Sequence, residues 1–199
     1  WGRAAADLQR GLEEWRFASQ VSADYVGGLL EYALTMDAAE KGELPKAAAR
    51  FQRLVQVGVR LTREQADFGS DWYFEAAKRV LAIATIEAAA TLLSVQGQHD
   101  QAVEQMQRAA RMEAVLSYGE PPLYARPIAE SLGSIHLRAG RWSEARAAYQ
   151  TALTSRPDSG HPWIGIARSW AGAGDTRNAQ AAYRRFLALW RHADEDLPQ

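Results

Sequence analysis

The sequence predicts an all-α fold, a right-handed α-solenoid of antiparallel helix hairpins. Three observations predict it. Gly140 and Gly174, Ala145 and Ala179, and Tyr149 and Tyr183 all recur 34 residues apart. Such a fixed period marks a repeated helix–turn–helix unit. Apolar residues follow helical spacing, as Leu8, Leu12 and Trp15 do at i, i+4 and i+7. Single glycines (Gly42, Gly97, Gly140 and Gly174) divide the helical stretches into pairs. One such pair has too little core to stand alone and must stack on its neighbours.

The stretch 126–159 carries the pattern most fully. Gly133, and Ala167 in the next unit, are small enough for one helix of a hairpin to approach the other. Ala145 and Ala179 answer from the second helix, and Tyr149 and Tyr183 fill the space beside them. Gly140 and Gly174 follow the first helix, where a residue with φ > 0 is wanted. Ser143 and Asp175 are residue types that cap the second helix. Pro157 stops the second helix of its unit.

Taken in order, Gly2 to Ser19 reads as a helix, either the second half of a repeat or an N-terminal cap. Ser22 to Lys41 follows, with Ser22 or Asp24 as cap, then Leu44 to Val59 with Ala47, Phe51 and Leu54 inward. Residues 28–61 form a degenerate repeat. The period then breaks, and an insert over 62–82 holds a turn near Gly69-Ser70. From Asp71 no Gly or Pro occurs until Gly97, which predicts one long helix, Trp72 to Val95. Its first turns either project beyond the stack or pack on the first hairpin. Residues 83–116 form a repeat, whose second helix, Asp100 to Leu116, sets Ala102, Met106 and Ala109 inward. A Pro-rich connector, 117–125, precedes two repeats in strict register, 126–159 and 160–193. The tail 194–199 is polar and frayed. Residues 1–199 thus read as a single domain.

Composition narrows the function. The 199 residues are 47% hydrophobic and 24% charged, with a formal net charge of −1. That balance argues against a nucleic-acid partner. Cysteine is absent, so no disulfide framework or cysteine metal site exists. No apolar run reaches the roughly 18 residues of a membrane span. The chain starts at Trp1 rather than Met, as a processed chain or an excerpt of a longer one would. His99, His136, His161 and His192 show no HExxH spacing, so no metal is expected. No GxSxG, phosphate loop or cysteine nucleophile is present. The chain is therefore expected to be non-catalytic and to need no cofactor. Trp142, Trp163 and Trp170 read as packing residues, and Trp190 as a cap on the last hairpin.

With Leu132-Gly133, Gly140, Ala145, Tyr149, Ala152 and Pro157 in place, the chain resembles the tetratricopeptide repeat (TPR) family over 126–191. It departs at Ala129, where the family often has Trp, and at Arg191, where Pro is usual; the latter suggests that the last helix runs on. A narrower resemblance lies in Tyr118–Tyr124 (YGEPPLY) with the following Arg126-Pro127. It is similar to bacterial TPR proteins with an EPP-aromatic motif before a repeat, a group with no activity to carry over.

The resemblance implies a concave groove lined by the first helix of each unit. By analogy the residues facing it are Tyr32, Met36 and Glu40; Glu87 and Thr91; Glu130, Ser134 and Arg138; and His161, Ile164 and Arg168. This mixture suits a peptide segment or partner protein, and the expected role is a protein–protein interaction scaffold. Chaperone-tail clamps use Lys and Asn where this chain has Tyr32/Met36, Glu87/Thr91 and Glu130/Ser134, so a two-carboxylate clamp is not expected. Arg138 and Arg168 remain able to fork one carboxylate, or to pair internally with Glu130. The connector residues Tyr118, Glu120, Pro121, Pro122, Tyr124 and Arg126 either seat a ligand or plug a gap, and plugging is the better fit. His136 takes a core position. Two alternatives stand beside the scaffold. One is a regulatory or oligomerisation domain of a longer enzyme or sensor, a homodimer through Trp72–Val95. The other is a small-molecule sensor with a pocket where that helix meets the connector.

Overall fold

A computed structural model describes residues 1–15, 20–63, 72–116 and 122–191. The described residues form α-helices and no strand. Their contacts divide the chain into two compact units, Trp1–Ala125 and Arg126–Gln199. The boundary falls at the end of the connector, within what the sequence treats as one domain.

The first unit holds α1 (Gly2–Glu14), α2 (Gln20–Glu40), α3 (Leu44–Arg63), α4 (Trp72–Val95) and α5 (His99–Glu113). The second holds α6 (Ile128–Arg138), α7 (Trp142–Ser155), α8 (Gly160–Gly172) and α9 (Thr176–Leu189). The helices α2–α3, α4–α5, α6–α7 and α8–α9 pack as hairpins. The described residues of each unit thus form all-α helix hairpins. The four turn glycines, Gly42, Gly97, Gly140 and Gly174, have φ between 71° and 82°, and no other described residue has positive φ. A side chain there would meet its own backbone, which is why glycine marks the turns.

In the first unit, Ala47, Leu54, Ala102, Met106 and Ala109 are wholly buried, as their spacing predicts. The long helix spans the predicted residues. It packs against both α2 and α3 rather than projecting. Gly28 of α2 makes room: a Cβ there would stand 2.7 Å from Leu81 Cδ1 of α4. Among its described side chains only Arg79 and Ala82 are exposed.

In the second unit, Ala145, Tyr149, Ile166, Ala167 and Ala182 form the core, with Leu137, Leu153, Trp163, Trp170 and Tyr183 packed around it. The guanidinium of Arg146 lies 3.7 Å from the Trp170 ring centroid. Trp142 lies against Gly172, and Trp190 against Gly160, Phe186 and His161. Trp190 thus does cover the last hairpin.

Several local expectations fail for identifiable reasons. Trp15 is 74% exposed, because the chain leaves the helix there in an extended conformation. Ser22 and Asp24 lie inside α2, which begins at Gln20, and Asp24 pairs with Arg60 at 3.3 Å. Ser143 lies inside α7 and bonds the Glu144 carboxylate, whereas Asp175 does cap α9, accepting from the Asn178 amide at 3.0 Å. The last helix does not run on to Arg191; it ends at Leu189. The turn at Gly69-Ser70, residues 16–19 and the tail lie outside the described residues.

Candidate binding face of the second unit

In the first unit the positions expected on the groove are buried, apart from exposed Glu40. Tyr32, Met36, Glu87 and Thr91 are at most 8% exposed. Trp1 packs edge-on against the Tyr32 ring, 5.2 Å between centroids, and its indole N–H donates to Glu40 Oε1 at 2.9 Å. Tyr124, from the connector, donates its hydroxyl to Glu87 Oε2 at 2.5 Å. These four residues are therefore buried rather than open: Trp1, before α1, lies against Tyr32, and Tyr124 of the connector against Glu87. Of the connector candidates, Pro122 is exposed, Tyr124 is buried and Arg126 is half-buried. Tyr118, Glu120 and Pro121 lie outside the described residues.

In the second unit the situation differs. Helices α6 and α8, the first helices of their hairpins, lie side by side. Their backbones approach across a single ring, that of Tyr149 from α7. A Cβ on Gly133 would stand 2.8 Å from this ring, and one on Gly165 would stand 2.3 Å from its Cζ. The ring is thus clasped between two helices that carry no side chain at the contact. Its hydroxyl reaches through to Ser134 Oγ, 3.0 Å away. Burial raises the Tyr149 pKa, and the nearby charges of Arg126 and Arg168 act against that. The phenol therefore remains protonated and able to donate.

Around this hydroxyl the charges are ordered. Glu130 is 5% exposed, pairs with Arg126 (Oε2–Nε 3.4 Å) and accepts from Ser159 Oγ at 3.5 Å. Among the described residues its ion pair is with Arg126. Arg138, His161 and Arg168 are exposed, while Ser134 and Ile164 are half-buried. Arg168 makes no ion pair among the described residues. The structure therefore brings Ser134, Arg138, His161, Ile164 and Arg168 onto two adjacent helices, while Glu130, on α6, is buried. Tyr149 was legible from the repeat only as packing. Gly165, a glycine inside a predicted helix and outside the repeat register, was the available signal that something large lies against α8.

His136 is buried as expected, and its Nδ1 has no hydrogen-bond partner among the described residues. No group of three or more metal-ligating side chains occurs among the described residues.

Residues 131–159 match the tetratricopeptide repeat family model. The matched stretch spans α6, the Gly140 turn and α7, and so contains both Gly133 and Tyr149. No curated protein matches the chain. Among solved structures, a chain titled MamA AMB-1 is similar over 87% of this chain and 99% of its own, at 17% identity and a TM-score of 0.45. No helix among the described residues is long and apolar enough to cross a membrane.

Proposed function

We propose that this chain is a non-catalytic protein-interaction module, and that the α6/α8 face of its second unit takes a peptide segment or partner protein. The observation that carries this reading is the pairing of exposed Arg138, His161 and Arg168 with half-buried Ser134 and Ile164 on two adjacent helices. Such a face offers charged forks at its rim and a shallow apolar point between them. A guanidinium binds carboxylates through two parallel N–H donors, so the segment carries acidic residues. The tetratricopeptide match over α6 and α7 supports a protein partner. The balanced charge of the whole chain supports a local, side-chain-specific contact over a broad polyanion footprint.

The test uses the full chain as bait in extract from its native host, beside an Arg138→Glu/Arg168→Glu variant whose helicity is verified by circular dichroism. A partner held by the parent chain and lost by the folded variant supports the face. A partner held equally by both places the contact elsewhere. No partner with either chain counts against an interaction module.

A further inference from the structure

The packing of Tyr124 carries an inference about the first unit that is independent of the α6/α8 face. We propose that the α2/α4 groove of the first unit is a receptor for a tyrosine side chain, occupied in the resting chain by its own Tyr124. Glu87, on α4, has no exposed surface, and a buried carboxylate needs a donor. Tyr124 supplies one at 2.5 Å. Burial is the main reason that the Tyr124 pKa is raised, and Tyr32, from α2, adds to the rise together with Glu87. Tyr124 itself is 7% exposed, and so more buried than the residue on either side, half-buried Leu123 and exposed Ala125.

That is the geometry of a bound peptide anchored by one residue. The surrounding positions, Tyr32, Met36, Glu87 and Thr91, are those that the repeat register places on a binding groove. Specificity follows from the acceptor. Phenylalanine fits the same volume but removes the hydroxyl that donates to Glu87, and sites that hydrogen-bond a hydroxyl discriminate strongly against the analogue that lacks it. A tyrosine-bearing segment of another protein would use the same acceptor once Tyr124 withdraws. The resting chain holds the site closed by tethering its occupant.

The test uses the full chain with Tyr124→Ala and Tyr124→Phe. A labelled hexapeptide of sequence Pro-Leu-Tyr-Ala-Arg-Pro, and its Phe counterpart, are titrated by fluorescence anisotropy. The inference expects saturable binding of the Tyr peptide to Tyr124→Ala, at least about tenfold tighter than to the parent chain and about tenfold tighter than the Phe peptide. It also expects 4-methylphenol to raise the Tm of Tyr124→Ala and not that of the parent. Equal affinity of both peptides, or no binding and no rescue by a folded Tyr124→Ala, overturns it. Should Tyr124→Ala fail to fold, Tyr124→Phe decides. Tighter binding of the Tyr peptide to that variant than to the parent supports the receptor, and indifference overturns it.

Discussion

Gly165 lies so close to Tyr149 that a Cβ on the glycine would stand 2.3 Å from the phenol Cζ. This contact sets how near α8 can come to α7 and α6, and so sets the face that the second unit presents. Alanine at an ordinary helical position is better than glycine by about 1 kcal/mol. Here the ring must move, and overpacking costs roughly 1–3 kcal/mol. Gly165→Ala is therefore expected to lower stability in urea unfolding. In a Tyr149→Leu background, where the ring is gone, the same substitution is expected to cost less or to stabilise. An unchanged cost in that background would show that the clash is not with Tyr149.

Gly58, inside α3, provides the opposite case. A Cβ there meets nothing within 4 Å. Gly58→Ala is expected to stabilise the first unit by up to about 1 kcal/mol. Gly140, at φ 71°, has room but the wrong backbone. Gly140→Ala is expected to destabilise by roughly 1–2 kcal/mol. Thermal unfolding of the two variants should shift in opposite directions.

His136 makes stability depend on pH. Burial lowers its pKa below the usual value of 6.5. Above that value the imidazole is neutral in both folded and unfolded chains, and contributes no pH dependence. As pH falls through 6.5, the unfolded chain takes up a proton that the folded chain resists, so stability declines. The decline ceases below the folded pKa, where both states are protonated. Urea midpoints between about pH 7.5 and pH 5.5 should fall for the parent chain. The fall should be smaller for His136→Leu. Identical slopes would mean that other groups carry the dependence.

Asp175 is the N-cap of α9, whereas Ser143 stands inside α7, after its N-cap Arg141, so only the aspartate caps. Its hydrogen bonds to Asn178, from backbone and side chain, hold its pKa below the ordinary value. Asp175→Ala is expected to lower Tm by roughly 2–4 °C. Ser143→Ala should leave Tm unchanged, since the serine bonds only its neighbour Glu144. The Asp175 contribution is present above the unfolded carboxyl pKa of about 3.9 and is lost as pH falls through the folded value. The difference between parent and Asp175→Ala should therefore shrink in strong acid.

Much of the fold was legible in residues that act locally. Gly42, Gly97, Gly140 and Gly174 announce their turns because a positive φ is intolerable to most side chains. The absence of Gly and Pro from 72 to 96 announces α4 for the same kind of reason. Caps were less legible. Ser22, Asp24 and Ser143 are capping types, but a helix start depends on where its neighbours allow the chain to enter. The candidate site divided in two. Ser134, Arg138, His161, Ile164 and Arg168 lie on the adjacent helices α6 and α8, and none of them is buried. Tyr32, Met36, Glu87 and Thr91 are buried.

By itself the sequence determined the class of fold, the hairpin boundaries and the small residues of the core, since these follow from backbone sterics and helical periodicity within each stretch. Only the tertiary structure decided which groove positions are open. Trp1 covers Tyr32 from 31 residues away, and Tyr124 reaches Glu87 across 37. Contacts at such separations leave no periodic trace, because the covering residue lies outside the repeat whose surface it closes.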